Sequence, residues 1–473
     1  MVYINGEWQN ANKTIDVINP ATGETIDSVA TCGKAETEEA IQHAATAFKT
    51  WKNTPGPTRG SYLAKAVALM RERKEEFAEI VTKENGKPLA DARGEVASAI
   101  NYLEWYAEEA RRIYGDTLTP SHENKQLMVL REPVGVSAAI TPWNFPLSMI
   151  TRKIAPALAA GCTVVLKPAS YTPLSAIKAF ECFHEAGIPK GVVNLVIGSA
   201  SEIGGVMTSH PDVRKISFTG STGVGKKLME QSASTVKKVS MELGGHAPLV
   251  IFDDADIDQA VQGVLSSKFK NTGQTCISTN RVYVQEGIAE EFSKRLAEKV
   301  AQLTIGNGLD EETDVGPLID KNSMEKVAAQ VEDARQHNGE IICGGKIHTA
   351  DNVDGYFYEP TVIKGATDDM EIATEETFGP VAPVFIFKTE EEAVERANHK
   401  EYGLATYCFT SDLGRGMRMM RALEYGIVGI NDPAPIVIQA PFGGVKESGM
   451  GKEGGKYGLE EYLIEKYVSI NMS

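Results

Sequence analysis

The sequence predicts an α/β protein built from two doubly wound α/β domains. Three observations carry that expectation: helical periodicity through about residue 112, a strand–helix alternation from residue 134, and a second alternating series from about residue 247. At 473 residues the chain exceeds one ordinary core, and roughly 100–200 residues per domain implies two or three.

Residues 36–53 place Ile41, Ala44, Ala45 and Phe48 on one helical face, and residues 61–83 do the same with Leu63, Val67, Met70, Phe77 and Ile80. Asn85-Gly86-Lys87-Pro88 ends that second helix, and an Ala- and Glu-rich helical region runs on to about 112. From 134 short apolar runs read as strands: Val136–Ile140, Thr163–Leu166, Val193–Ile197 and Lys215–Phe218. Helical segments 147–160, 174–187, 201–209 and 223–232 separate them, which indicates a parallel sheet covered on both faces. The second series comprises Ala247–Phe252, Arg281–Val284, Glu340–Cys343, Val381–Phe387, Leu404–Phe409 and Gly426–Ile430, with helices at about 286–303 and 322–338. The two domains are expected to meet near residue 243. Lys125–Glu132 and Tyr462–Ile470 are β-prone runs that fit neither.

The formal charge of −16, from 48 basic and 64 acidic residues, argues against nucleic acid or an anionic membrane as the main partner. Six widely spaced cysteines without a CxxC read as reduced cytosolic thiols, not a disulfide framework or a metal site, so a cytoplasmic location is expected. The N-terminus lacks a basic segment followed by an apolar run, and no stretch of about 18 apolar residues spans a membrane. Asn12-Lys13-Thr14 then fits a glycosylation sequon by chance only.

Two stretches 34 positions apart (276 − 242) carry candidate chemistry: Met241-Glu242-Leu243-Gly244-Gly245 and Asn271-Thr272-Gly273-Gln274-Thr275-Cys276. A thiol flanked by small polar residues has room to attack a carbonyl, and a carboxylate beside it can move protons or activate water. Phe218-Thr219-Gly220-Ser221-Thr222-Gly223-Val224-Gly225 follows a strand and opens a helix, where glycines and free N–H groups admit a phosphate. The run overlaps a P-loop at Gly220, Gly225 and Lys226, but Lys227 stands where Ser or Thr would hold magnesium, which weakens a nucleotide hydrolase reading.

The Glu242 and Cys276 stretches resemble the glutamate and cysteine signatures of the aldehyde dehydrogenase superfamily. The resemblance extends from Ile18-Asn19-Pro20-Ala21-Thr22-Gly23 to Pro441-Phe442-Gly443-Gly444-Val445-Lys446-Glu447-Ser448-Gly449. It implies that Cys276 attacks an aldehyde, that Asn144 of Thr141-Pro142-Trp143-Asn144-Phe145-Pro146 holds the oxyanion, and that Glu242 activates the hydrolytic water. It implies a dinucleotide contacted by Trp143, Asn144, Lys167, Pro168, Ala169, Ser170, Gly220, Ser221, Gly225 and Leu243, with Glu376 on ribose hydroxyls and Phe378 beside the nicotinamide. Ser170 stands where family members that prefer NAD commonly carry glutamate, so tolerance of or preference for NADP is expected alongside NAD. No metal is implied. The implied domains are 1–113 with 134–243 for the dinucleotide and 244–445 for catalysis. Residues 114–133 and 446–473 would form bridging segments of a homodimer or homotetramer.

Within the superfamily the chain is most similar to the succinate-semialdehyde dehydrogenase branch, through Arg112-Ile113-Tyr114-Gly115-Asp116-Thr117, Ile150-Thr151-Arg152-Lys153 and Ser267-Lys268-Phe269-Lys270-Asn271. That similarity makes Arg152 and Lys270 the candidate cations for a substrate with a distal carboxylate. Three positions depart from the branch. Lys270 replaces an arginine fork with a point charge, Ile436 lies near where the branch carries a serine that contacts the substrate carboxylate, and Ser278 replaces a second cysteine. Another small or less polar aldehyde is the alternative substrate, and a catalytically silent relative the alternative from a different class.

Overall fold

The computed structural model describes residues 1–10, 13–349, 355–398 and 400–472; Asn12 of the sequon lies outside them. An eight-stranded sheet runs in the order Gly449–Met450, Lys238–Glu242, Val213–Thr219, Val136–Ile140, Thr163–Lys167, Val193–Leu195, Val2–Ile4, Glu7–Gln9. Its five central strands are parallel, and the register pairs Ile140 with Lys167 and Thr219 with Glu242. Four strands therefore end along one edge, where open α/β sheets bind ligands. The edge strand Gly449–Met450 pairs with Met241 and Glu242, so part of the expected C-terminal bridging segment is built into this sheet instead.

A seven-stranded sheet follows in the order Glu340–Cys343, Thr361–Ala366, Val381–Phe387, Thr279–Gln285, Ala247–Ile251, Ala405–Phe409, Ile427–Ile430. Alternation along Ala247–Ile251 sends Leu249 and Ile251 into one core cluster and Val250 into another. The sheet is thus buried on both faces, as its continuous apolar strands require. A third sheet pairs Leu463–Asn471 with Lys125–Pro133 over nine residues and adds Asp116–Leu118. Tyr114, Tyr467 and Met472 beside it are exposed.

The helix expected over 61–83 is two helices, Gly56–Glu72 and Lys74–Asn85, because Arg73 leaves helical geometry at φ −106°, ψ 18°. Both pack toward the first core with Leu63, Met70, Phe77 and Val81. Their neighbours hold the sheet helices by unusual caps. Leu174–Glu185 and Ser148–Ala160 have no cap from their own first residues. Glu84 instead accepts the Leu174 and Ser175 N–H groups at 2.7 and 3.0 Å, and Glu95 accepts those of Leu147 and Ser148 at 2.8 and 3.1 Å. Each carboxylate satisfies orphan donors that burial would otherwise leave unpaired. Glu95 is neutralised by Lys87 at 2.6 Å, both side chains fully buried.

Candidate active site

Cys276 precedes the strand Thr279–Gln285, and Glu242 ends Lys238–Glu242, so the gap between the two sheets holds both. Two cavities of about 290 and 270 Å³ meet there, sharing Met149 and Cys276. The thiol is partly exposed to them. Burial, then the Glu376 carboxylate, pushes it up to about 12, so the resting sulfur is protonated.

The cysteine loop takes a path that few residues accept. A π-helical turn, Leu265–Phe269, leads to Asn271, Thr272 and Gly273 at φ 49°, 56° and 74°. Two non-glycine residues in the left-handed region store strain that surrounding contacts must hold. A Cβ at Gly273 would lie 2.2 Å from the Gly379 carbonyl, so that position admits only glycine. The Asn271 amide donates to the Asn144 carbonyl at 2.9 Å, Thr272 Oγ1 to Gly316 O at 3.0 Å, and Gln274 Nε2 to Pro317 O at 3.3 Å. Asp91 accepts the Asn271 N–H at 2.8 Å.

Asn144 is buried, with Nδ2 donating to Gln274 O at 3.0 Å and its carbonyl accepting from Lys87 Nζ at 2.8 Å. An amide nitrogen has two hydrogens, so one stays available beside the thiol. The buried Lys87–Glu95 pair thereby fixes both this carbonyl and the helix that follows.

Glu242 is 3% exposed, and neither carboxylate oxygen has a hydrogen-bond partner. Burial first, then the nearby Glu453 carboxylate, holds its pKa well above the usual range. A Cβ at Gly443 would sit 2.7 Å from Glu242 Oε1. Glu453 pairs with Lys153 at 2.7 Å and with Arg152 at 3.8 Å. Local sequence gave no sign of Glu453 or Lys153. They lie 211 and 89 positions from Glu242 (453 − 242 and 242 − 153), and only the fold joins them.

The first cavity brings together Trp143, Asn144, Gly220, Ser221, Glu242, Leu243, Cys276, Glu376 and Phe378. Ser221 occupies the N-cap position of the helix Thr222–Ala233 without a side-chain cap bond, so the first N–H groups of that helix stay free at the cavity edge. Phe378, at φ 54°, sets its ring edge-on to Trp143 at 5.6 Å. Burial pushes Glu376 up to about 7, and it accepts the Gly245 N–H at 3.2 Å. Lys326, which the sequence reading missed, donates to the Glu376 carbonyl at 2.6 Å.

Other expected cofactor residues are placed differently. Gly225 lies against Leu243, whose Cδ2 is 2.3 Å from where a Cβ would stand, so the helix packs closely on the strand there, and Gly225 does not line the first cavity. Lys167 is buried, donates to the Pro168 carbonyl at 3.0 Å, and is pushed down to about 8 by desolvation. Lys167, Pro168 and Ala169 line neither cavity at Cys276. Ser170 lines a separate hollow with Gly198 and with the carboxylates of Glu36, Glu39 and Glu202.

The second cavity is lined by Arg152, Lys270 and Ile436, with Phe145 and Tyr407 among its walls. The Arg152 guanidinium is stacked between the Tyr102 and Phe442 rings, 4.8 and 4.7 Å from their centroids. Its Nε and Nη1 have no hydrogen-bond partner. Lys270 is exposed and, among the described residues, makes no ion pair. Ser278 is buried and all six cysteines are free thiols.

The site thus sets a thiol between a glycine-edged cleft and a second cavity that contains a buried guanidinium. The aldehyde dehydrogenase family model matches residues 8–468, and the chain belongs to that family. It is 51% identical over 472 residues to glutarate-semialdehyde dehydrogenase of Pseudomonas putida, covering 99% of this chain and 97% of that one. It is 50% identical to succinate-semialdehyde dehydrogenase (NADP(+)) of Escherichia coli, again over 99% and 97%. The crystal structure of succinate-semialdehyde dehydrogenase from Burkholderia pseudomallei superposes with a TM-score of 0.97 at 48% identity, covering 99% and 97%. The architecture is the two-domain fold of these enzymes. Among the described residues no helix is long and apolar enough to cross a membrane.

Proposed function

We propose that this chain oxidises an aldehyde to a carboxylate with NAD(P), with succinate semialdehyde its leading substrate. The observation that carries the reading is the Cys276 sulfur at the junction of two cavities, with Glu242 lining the first. The first cavity fits a dinucleotide: Gly220 and Ser221 present a helix N-terminus for phosphate, while Glu376 and Phe378 offer a ribose acceptor and an aromatic wall. A nicotinamide bound there would accept the hydride.

Cys276 releases its proton to solvent through the open cavity, and the thiolate attacks the aldehyde carbon, giving a thiohemiacetal. The free Asn144 Nδ2 hydrogen steadies the oxyanion, a donor typically worth about 2.7–4 kcal/mol in the transition state. Loss of hydride leaves a thioester on Cys276. Glu242, in its ionised form, then takes a proton from water, and the hydroxide releases the acid from the thioester. That proton passes on to the departing thiolate and regenerates the thiol. The unpartnered Glu242 oxygens suit a base that must reach a transient water.

Arg152 supports an acidic aldehyde, because its buried Nε and Nη1 have no hydrogen-bond partner, its ion pair with Glu453 is a loose one at 3.8 Å, and the rings of Tyr102 and Phe442 fix its plane. Lys270 adds a second cation to the cavity lining. Ile436 and Phe442 leave a less polar aldehyde as the second reading. Ser170 carries the expectation of NADP use, tempered by the three carboxylates in its hollow. We take the eight-stranded sheet as the dinucleotide domain and the seven-stranded sheet as the catalytic domain. The exposed apolar residues of the third sheet support a homodimer or homotetramer, and six free thiols support the cytoplasm.

The test is a panel of acidic and neutral aldehydes with NAD and NADP, read by absorbance of the reduced nicotinamide. Turnover of succinate semialdehyde by the wild type, and none by Cys276→Ser, is expected. Full activity without the thiol defeats the thioester route, and no turnover of any aldehyde defeats the reading altogether.

A further inference from the structure

Lys268 is a buried ammonium that neither cavity at Cys276 reaches. Among the described residues its Nζ makes one hydrogen bond, to the neutral Oδ1 of Asn280 at 2.8 Å, and no carboxylate lies in ion-pair range. A buried cation with a single neutral partner costs stability relative to an apolar side chain of the same length. Desolvation accordingly pushes it down to about 7. Its position is informative. Lys268 and Asn280 bracket Cys276, eight positions before it and four after (276 − 268 and 280 − 276). A second tie, Ser267 Oγ to Thr279 Oγ1 at 2.7 Å, lies one residue earlier on each arm. The two rungs close the neck of the loop that contains the left-handed run Asn271–Gly273 and the thiol. The first arm is the π-helical turn Leu265–Phe269, and the second is the start of a strand buried from Thr279 to Val284.

We infer that Lys268 and Asn280 form a positioning pair that sets the separation of the two arms of the nucleophile loop and so the placement of the Cys276 sulfur. This rests on the reading of Cys276 as nucleophile. Apolar packing tolerates sliding, whereas a charge-assisted hydrogen bond in a low-dielectric interior fixes one distance and direction. The Asn271, Thr272 and Gln274 contacts hold the tip of the loop, and the neck pair holds its base. A sulfur displaced by about an ångström from the attack geometry can lose on the order of a hundredfold in rate.

The full-length protein is tested by rapid mixing with NADP and succinate semialdehyde, or with the dinucleotide and aldehyde that the panel turns over fastest. The first-turnover burst of reduced nicotinamide reports both the fraction of competent sites, as amplitude, and their rate constant. Lys268→Met and Asn280→Ala are expected to lower the rate constant at least tenfold, with the KM for dinucleotide in Asn280→Ala within threefold of wild type. Asn280→Asp, which keeps an acceptor for Lys268, is expected to stay within threefold. A merely structural role would lower the amplitude and leave the rate constant alone, and that result overturns the inference. So does a wild-type rate constant in Asn280→Ala, which decides the matter even where Lys268→Met does not fold. A burst from Cys276→Ser would instead overturn the nucleophile reading itself.

Discussion

Replacing Glu242 with glutamine separates chemistry from stability, because the two are expected to move in opposite directions. The amide keeps the shape of the side chain but can neither accept a proton nor carry charge. Thiol attack and hydride loss do not need this group, so the first-turnover burst should survive. Thioester hydrolysis does need it, and loss of a general base typically costs about 10²–10⁴-fold, so steady-state turnover should fall by that factor. Stability follows from the environment: Glu242 is buried, neither oxygen is hydrogen-bonded, and Glu453 repels its charge. Its pKa is therefore raised in the folded protein. Between the unfolded carboxylate value of about 4.3 and that raised value, the native state holds one proton more than the unfolded state. Wild-type stability should fall relative to Glu242→Gln by about 1.4 kcal/mol per pH unit through that window, and then level off once Glu242 ionises. Denaturant midpoints of both proteins measured from pH 4 to pH 9 read the slope, and rapid mixing reads the burst. A flat stability difference would refute the burial argument. Loss of the burst, or turnover at the wild-type rate, would refute the assignment of the base to the hydrolysis step.

Asn144→Ala removes the free Nδ2 hydrogen and the tie to Gln274 O, and the burst rate constant should fall by about 10²–10³, the effect of one oxyanion donor. An unchanged burst would place the oxyanion elsewhere. Lys87→Met strands the buried Glu95 carboxylate and should cost about 3–5 kcal/mol by chemical denaturation, since breaking a buried pair leaves an uncompensated charge. Adding Glu95→Gln should recover part of that loss, and a double variant worse than the sum of the singles contradicts the pairing. Ser170→Glu adds a fourth carboxylate to a hollow that already has Glu36, Glu39 and Glu202, and should raise the NAD-to-NADP ratio of kcat/KM at least tenfold. An unchanged ratio would put cofactor choice outside this hollow.

The alternating apolar runs placed most central strands correctly. Val136–Ile140, Glu340–Cys343 and Val381–Phe387 have the expected bounds. Lys238–Glu242 escaped because Lys238, Ser240 and Glu242 interrupt its apolar residues, although Ser240 and Glu242 are buried. Edge strands such as Glu7–Gln9 escaped because half-exposed runs of three residues have no period to read. The helix break at Arg73 was invisible because the apolar face continues across it from Met70 to Phe77.

The α/β class, the nucleophile candidate and the base candidate were legible in the chain alone, because apolar periodicity and a few chemically distinctive residues are local properties. The family resemblance, not periodicity, pointed to Trp143, Asn144, Glu376 and Phe378, and one cavity gathers them with Gly220. The charges beside Glu242, the packing of Gly225 against Leu243 and the Lys268 bond across the neck of the cysteine loop emerge only on folding. Electrostatic environment depends on distances of a few ångströms between residues up to 211 positions apart (453 − 242), and no local pattern encodes such distances.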